Sequence, residues 1–226
     1  MSRFLCTGIP ICYYGAMDTA PKRFVLFDFD GVIADSSALS YELSRQFSPE
    51  LDRESYRRLY ENNVFESLKK LSSWRDTLPD EYQQKFDPRM RGEVQLVHGM
   101  DEVIKTLNDR YTLAIISSTS TPGIMDFLGR HGLRQYFSDI LGRDSHHSKV
   151  EKMSMVFEKY GTTADECVYI TDTLGDMREA QAHGMGTIAS SWGVHPRETL
   201  EKGIPFRILN APAELPDAVD DYFAKI

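Results

Sequence analysis

The chain is short of cysteine, of long apolar runs and of clustered Lys and Arg, and each shortage closes off a class of protein. Its three cysteines, Cys6, Cys12 and Cys167, are odd in number and widely spaced. That pattern argues for reduced thiols in a cytoplasmic protein rather than a disulfide framework, and it matches no zinc motif. No apolar stretch approaches the length of a membrane span, so no membrane partner is expected. A net charge of −8, with the basic residues scattered, disfavours a dedicated nucleic-acid binder.

What is present suits a soluble globular chain. With 226 residues, 41% hydrophobic and 27% charged, it can form one large domain or one domain with an insertion. Residues 1–16, MSRFLCTGIPICYYGA, are apolar but broken by Gly8, Pro10 and Gly15. They are read as a flexible tail rather than a targeting signal, with Met17 a candidate translation start.

The rest of the chain is organised around RFVLFDFDGVIADS, residues 23–36. The short apolar run Phe24 to Phe27, ended by Gly31, fits a buried strand. Asp28 and Asp30 follow at once. Residues two apart on a strand point the same way, so both acids would face one pocket while Phe29 turns into the core. Gly31 permits a sharp turn and a close approach to its N–H. Two acids at the end of an apolar strand need a cation or a shared proton to neutralise them.

From Ser36 to Asp87 the apolar residues recur at spacings of three and four, among them Leu39, Leu43, Tyr56, Leu59, Tyr60, Phe65 and Leu68. This is the helical period, punctuated by Pro49, Pro79 and Pro88. The block, residues 36–96, is read as an all-helical insertion whose apolar residues form a small core of their own, with a substrate-lining role for a few of them as the alternative. Trp74 within it is read as packing. After residue 97 helices and strands alternate. Helices are expected at 100–108, 122–131, 149–160, 175–183, 197–202 and 212–223. Strands are expected at 111–116, 140–141, 167–171, 187–189 and 206–209. Short links in such an alternation mean an α/β fold, a parallel sheet covered on both faces. Ligands of these sheets bind beyond the carboxyl ends of the strands, where Asp28, Ser117 and Asp172 each fall.

DFDGV at 28–32, IISS at 115–118, Lys149 and DTLGD at 172–176 resemble the four motifs of the haloacid dehalogenase-like hydrolase superfamily, in order and in spacing. SSWG at 190–193 sits where phosphoglycolate phosphatase-like members carry a similar stretch. The resemblance implies a three-layer Rossmann-like core, residues 17–35 and 97–226, with the helical block as its cap. It also implies a Mg²⁺-dependent phosphatase acting on a small phosphorylated metabolite, as a monomer or homodimer. Asp28 resembles the nucleophile and Asp30 the general acid. Asp28, Asp30, Asp172 and Asp176 resemble the metal set, with Asp30 contributing its main-chain carbonyl. Gly31, Ser117, Ser118 and Lys149 resemble the phosphate-binding groups. Two departures stand out. Val150 follows Lys149 where many relatives have Pro, with Lys152 a competitor for its role, and Thr171 replaces a common Gly. His146 and His147 are read as loop residues, with a role in the site as the alternative. Alternatives are a sugar phosphomutase, for which the cap lacks a KGxSR-like stretch, and a non-catalytic protein on the same fold.

Overall fold

A computed structural model of the chain describes residues 23–70 and 78–226. Residues 1–16, Met17, Cys6, Cys12 and Trp74 lie outside the described residues. In chain order the elements are β1 (Phe24–Phe27), α1 (Ser37–Phe47), α2 (Arg53–Leu59), α3 (Val64–Leu68) and α4 (Leu78–Glu93). Next come α5 (Met100–Asn108), β2 (Thr112–Ile116), α6 (Thr121–Arg130), β3 (Phe137–Leu141), α7 (Lys149–Tyr160) and β4 (Cys167–Thr171). The chain closes with α8 (Leu174–Gln181), β5 (Gly186–Ser190), α9 (Arg197–Leu200), β6 (Arg207–Leu209) and α10 (Leu215–Lys225).

The six strands form one sheet in the order β3-β2-β1-β4-β5-β6, with every pairing parallel. β1 lies inside the sheet and is buried on both faces, which is why its four residues are apolar without alternation. Val25 and Phe27 point to the face covered by α5, α6 and α10, while Phe24 and Leu26 point to the face covered by α7 and α8. Phe27 is level with Ile115 on β2 and with Ile170 on β4. That register carries Asp28, Ser117 and Asp172 to neighbouring positions at one edge of the sheet.

Local signals set the helices around this edge. Ser120, Ser148 and Thr173 are the N-caps of α6, α7 and α8, each accepting a backbone N–H from the first turn. Gly161 ends α7 in the left-handed region, at φ 63. β3 begins at Phe137, earlier than the expected residue 140, because Ser138 and Asp139 face outward on this edge strand and mask the apolar run.

The helices between β1 and α5 share the main core more than expected. Among the described residues of this block, only Leu51, Tyr56 and Leu59 form a separate buried cluster. Leu39, Leu43, Phe86 and Met90 are continuous with the core beneath α5 and α6. The polypeptide crosses between the two regions twice, side by side. Asp35 N–H donates to Gln95 O at 2.9 Å, and Val97 N–H donates to Ile33 O at 2.9 Å.

Candidate active site

Asp28 follows β1 directly and its main-chain N–H still donates to Ile170 O, at 2.8 Å, so the strand fixes its position. Its Oδ1 accepts the Phe29 N–H at 2.7 Å and pairs with Lys149 Nζ at 3.0 Å. Phe29 turns away, fully buried against Phe127 with ring centroids 5.2 Å apart. Asp30 returns to the same side as Asp28. Its oxygens accept hydroxyl protons from Ser36 at 2.7 Å and Thr119 at 2.6 Å. The two acids therefore stand in different chemistry, one against an ammonium and the other against neutral hydroxyls.

Lys149 opens α7 and is buried. Its Nζ donates to Asp176 Oδ2 at 2.6 Å and to the Tyr169 hydroxyl at 3.0 Å. Thr171, the residue standing where a glycine is common, donates its hydroxyl to Asp176 Oδ2 at 2.8 Å. Asp176 Oδ2 thus holds Lys149 in place with three donors around it, counting the Tyr169 hydroxyl at 3.3 Å. The competitor Lys152 is fully buried on the same helix but faces elsewhere, donating to the carbonyls of Ser117 and Gly142.

Asp172 follows β4 and is fully buried. Oδ2 accepts the Val194 N–H at 2.6 Å, whereas Oδ1 has no partner among the described residues. Gly31 and Gly193 press against this carboxylate from two sides. A Cβ at Gly31 would lie 2.2 Å from Oδ2, and one at Gly193 would lie 2.1 Å from it. Gly31 also sits at φ 74, the left-handed region that favours glycine. Its N–H donates to Ala34 O at 2.8 Å and closes the turn, so the expected donor to a phosphate is spent within the chain, and its contribution here is room for Asp172.

The electrostatics follow from packing four carboxylates against one ammonium. Burial pushes Asp28 well above the ordinary carboxylate range; Lys149 pulls it down, but Asp176 and Asp172 add to the rise. Burial also raises Asp30, against the hydrogen bonds from Thr119 and Ser36. Burial carries Asp172 up to about 7, opposed by the Val194 N–H. Asp176 alone of the four falls: burial raises it, but the Lys149 ammonium and the hydrogen bonds with Asp28, Lys149 and Thr171 together outweigh that rise. Lys149 itself is held well above its usual value by Asp176 and Asp28, in spite of burial.

This donor set fits a hard divalent cation. Among the described residues no three His, Cys, Asp or Glu side chains meet as a ready-made metal site. Mg²⁺ does not ask for one, since it keeps several waters and takes one or two carboxylates. The orphaned Oδ1 of Asp172, beside a raised Asp28, is the unsatisfied acceptor such an ion would serve.

Ser117 is fully buried, and its Oγ accepts the Thr119 N–H at 3.0 Å. Ser118 and Thr119 line a cavity of about 270 Å³ that also contains Asp28, Asp30, Lys149 and Asp172. Its other wall comes from α1 to α4 and includes Tyr56, Tyr60, Phe65 and Tyr82. Residues read from their spacing as internal packing therefore face the site. His147, read as a loop residue, also lines the cavity and stacks on Phe65 with centroids 4.6 Å apart.

Thr119, Ser36, Thr171 and Tyr169 hold the acids and the lysine, yet the sequence reading named none of them as functional. Thr119 had one usable signal, since it lies two residues beyond Ser117 at the same strand end. Tyr169 had one as well, a hydroxyl inside an otherwise apolar strand. His195 had none. Its Nδ1 accepts the Leu174 N–H at 2.9 Å and its Nε2 donates to Arg57 O at 2.9 Å, linking the loop beyond Asp172 to α2.

A family model described as haloacid dehalogenase-like hydrolase matches residues 25–190. The phosphoglycolate phosphatase of Synechococcus elongatus is 27% identical over 203 residues, covering 86% of this chain and 96% of that protein. Among solved structures, one described as a predicted phosphatase from Clostridium acetobutylicum superposes with a TM-score of 0.75 at 20% identity, over 88% of this chain and 99% of that one. A haloacid dehalogenase-like family hydrolase from Streptococcus pneumoniae gives 0.73 at 21% identity, over 87% and 97%. At these identities the two structures speak for the fold alone.

Proposed function

The chain belongs to the haloacid dehalogenase-like hydrolase family, and from that premise we propose that it is a Mg²⁺-dependent phosphatase of a small phosphomonoester, working through an aspartyl-phosphate on Asp28. The observation that carries this reading is the contrast between two carboxylates two residues apart. Asp28 is placed against the Lys149 ammonium, and Asp30 against the hydroxyls of Ser36 and Thr119. Against its burial, Lys149 pulls Asp28 toward its charged form, and a cation bound beside it would complete that shift, while Asp30, among neutral hydroxyls, is left to exchange a proton.

Asp28 attacks phosphorus as a carboxylate, the bond from phosphorus to the leaving oxygen breaks, and Asp30 gives its proton to that oxygen. Asp30, now ionised, takes a proton from water as that water attacks the phosphorus of the aspartyl-phosphate, which releases phosphate and restores Asp28. Burial keeps Asp30 protonated at higher pH than an ordinary carboxylate, as its first role requires. Lys149 balances the charge of Asp28 and of the phosphoryl oxygens, and Asp176 holds the ammonium in position. Ser117 and Ser118 are the proposed hydroxyl donors to the phosphoryl group. Asp28, the main-chain carbonyl of Asp30 and Asp172 would hold Mg²⁺, with Asp176 reaching it through water. When bound, the ion supplies positive charge that keeps Asp28 ionised and offsets the charge of the phosphate.

The block of residues 36–96 is proposed as a cap over the leaving group and residues 97–226 with β1 as the catalytic core. No helix among the described residues is long and apolar enough to cross a membrane. A phosphorylated metabolite of the cytoplasm is the proposed substrate. Phosphoglycolate, the ester in the name of the Synechococcus relative, is one member of the panel to be tested.

The deciding experiment is phosphate release from an activated aryl phosphate with Mg²⁺ and with EDTA, alongside mass spectrometry of quenched enzyme. Turnover should need the metal, Asp28 should be the modified residue, and Asp28→Asn should be inert. Turnover that survives EDTA, or that survives Asp28→Asn, would refute the proposal.

A further inference from the structure

Three helices of the proposed cap bring four hydroxyls to one point of the cavity wall. Ser40 comes from α1, Tyr56 from α2, Tyr60 from the residue after α2, and Tyr82 from α4. Ser40 Oγ accepts the Tyr56 hydroxyl proton at 2.8 Å and lies 2.8 Å from the Tyr82 hydroxyl. Tyr60 is held more loosely, with its oxygen 3.2 Å from that of Tyr56 and 3.4 Å from Ser40 Oγ. Hydroxyl hydrogen bonds centre near 2.7–2.8 Å, so the Tyr60 hydroxyl is the most weakly held of the four.

The rings themselves are fixed. Tyr41, Tyr56 and Tyr60 pack edge to face in series, with centroids 5.2 and 5.1 Å apart, and Tyr82 stacks on Phe86 at 5.6 Å. Tyr60 is also tied at its backbone, where its carbonyl accepts the Gly175 N–H of α8 at 2.8 Å. A rigid set of hydroxyls can discriminate because a ligand has to match it, while little ordering entropy is lost on binding.

The charges nearest this set are negative. Asp30 and Asp172 act on the Tyr60 phenol, which burial holds in its neutral form. The cations that line the cavity apart from Lys149 are Lys69 and Arg143, and both act on His147, which stacks on Phe65. A leaving group with a carboxylate against the phenols would face Asp30 with no cation on that wall among the described residues. A neutral group with its own hydroxyls would both give and accept hydrogen bonds there.

We propose that Tyr60, with Ser40 and Tyr82, is the specificity-determining set of this enzyme and reads the free hydroxyls of an uncharged, polyol-like leaving group. The assignment rests on the phosphatase reading above. It places the substrate among phosphomonoesters of small polyhydroxylated alcohols rather than phosphorylated carboxylic acids.

The test compares kcat/KM for three esters in Mg²⁺: glycerol phosphate, propyl phosphate of the same carbon count, and phosphoglycolate. The glycerol ester should lead both others, by roughly 10²-fold over propyl, since a site built to bond hydroxyls rejects the analogue that lacks them. Tyr60→Phe should cut the glycerol-to-propyl ratio by roughly 3–10-fold, the worth of one neutral hydrogen bond. Tyr60→Phe/Tyr82→Phe should cut it further. Thermal melting checks that the variants fold, and Ser40→Ala must lower the same ratio if either phenylalanine variant does not. A wild-type ratio near one, a preference for phosphoglycolate, or an unchanged ratio in folded Tyr60→Phe overturns the inference. An aryl phosphate separates the two readings. Mg²⁺-dependent aryl hydrolysis without hydroxyl discrimination overturns this inference alone, whereas no hydrolysis of any ester overturns both.

Discussion

Replacing Gly193 by alanine should damage the site through a single methyl group. Its Cβ would lie 2.1 Å from Asp172 Oδ2, 2.4 Å from Asp172 Cβ and 2.6 Å from Asp172 Cγ. All three atoms belong to one side chain, fully buried and anchored by the Val194 N–H at 2.6 Å, so the clash cannot be relieved by swinging a flexible tip aside. Asp172 or the loop has to give way by about 1 Å, a misplacement that can cost on the order of 10²-fold in rate at a catalytic site. Overpacking of this kind costs about 1–3 kcal/mol. For a chain of this size each 1 kcal/mol lowers Tm by about 2–4 °C. The assay is a Mg²⁺ titration of aryl phosphate turnover with a melting curve on the same sample. Half-saturation should move to roughly tenfold higher Mg²⁺ or beyond, consistent with the loss expected when groups that orient a metal ligand are disturbed. Gly129→Ala is the control. It lies in the last turn of α6 with nothing within 4 Å of the added Cβ, and should leave both the Mg²⁺ response and Tm unchanged or slightly raise Tm. A Gly193→Ala protein with wild-type Tm and wild-type Mg²⁺ response would refute the reasoning.

Other outcomes follow from the same geometry. Asp30→Asn should slow alkyl phosphates by roughly 10²–10⁴-fold and activated aryl phosphates less, because a good leaving oxygen needs little protonation; equal losses on both, measured by steady-state kinetics, would remove Asp30 from the acid role. Asp172→Ala should abolish the Mg²⁺ response of both turnover and melting temperature, which a metal titration by calorimetry checks directly. Lys152 gives a pH signature. Burial, with Lys149 nearby, lowers it to about 7. The unfolded chain therefore holds that proton more tightly, and the resulting destabilisation is complete below pH 7 and fades as pH rises toward the ordinary lysine value. Wild-type stability should thus gain on Lys152→Met with rising pH, by up to about 4 kcal/mol between pH 6 and 10, read from melts at matched ionic strength. A constant gap between the two proteins would show that Lys152 is not shifted.

The half of the candidate site around Asp28 and Asp30 was largely legible in the sequence because it is carried by local pattern. A four-residue apolar strand, two acids two apart and a glycine place Asp28 and Asp30 with no knowledge of the rest of the chain. The alternation after residue 97 predicts helices and strands whose ends agree with the structure within a few residues, and Lys149–Tyr160 and Cys167–Thr171 coincide. The supporting groups were not legible, since Ser36, Thr119 and Tyr169 acquire their meaning from what lies opposite them in space. The helical block misled for a related reason. Spacings of three and four reveal that Leu39 and Leu43, and likewise Tyr56, Leu59 and Tyr60, share helical faces, but not what those faces meet. Leu39, Leu43 and Phe86 pack into the main core, while Tyr60 and Phe86 border the cavity.

That continuity of packing bears on how substrate enters. α1 and α4 are tied to the sheet domain by buried side chains and by surface contacts such as the Arg130 Nη1 donation to Arg91 O at 2.8 Å. The stretch carrying α2 and α3 is joined to it chiefly by a polar seam. Arg57 O meets His195, Arg57 Nε donates to Val194 O at 3.1 Å, Tyr60 O meets Gly175, and Asn63 Nδ2 donates to Glu179 at 3.1 Å. Hydrogen bonds of this sort can be handed over to water one at a time, whereas an apolar interface cannot be opened without exposing its whole area. The seam is therefore the part of this boundary that costs least to open, and opening it would part Tyr60 O from Gly175 N–H, so the hydroxyl set is rigid only while the seam is closed. Motions of that scale run in microseconds to milliseconds and often set the pace of an enzyme whose chemistry is fast. Substitutions along the seam, such as Asn63→Ala, are then expected to change kcat and KM together while leaving Asp28 and Asp30 in place, which steady-state kinetics would read.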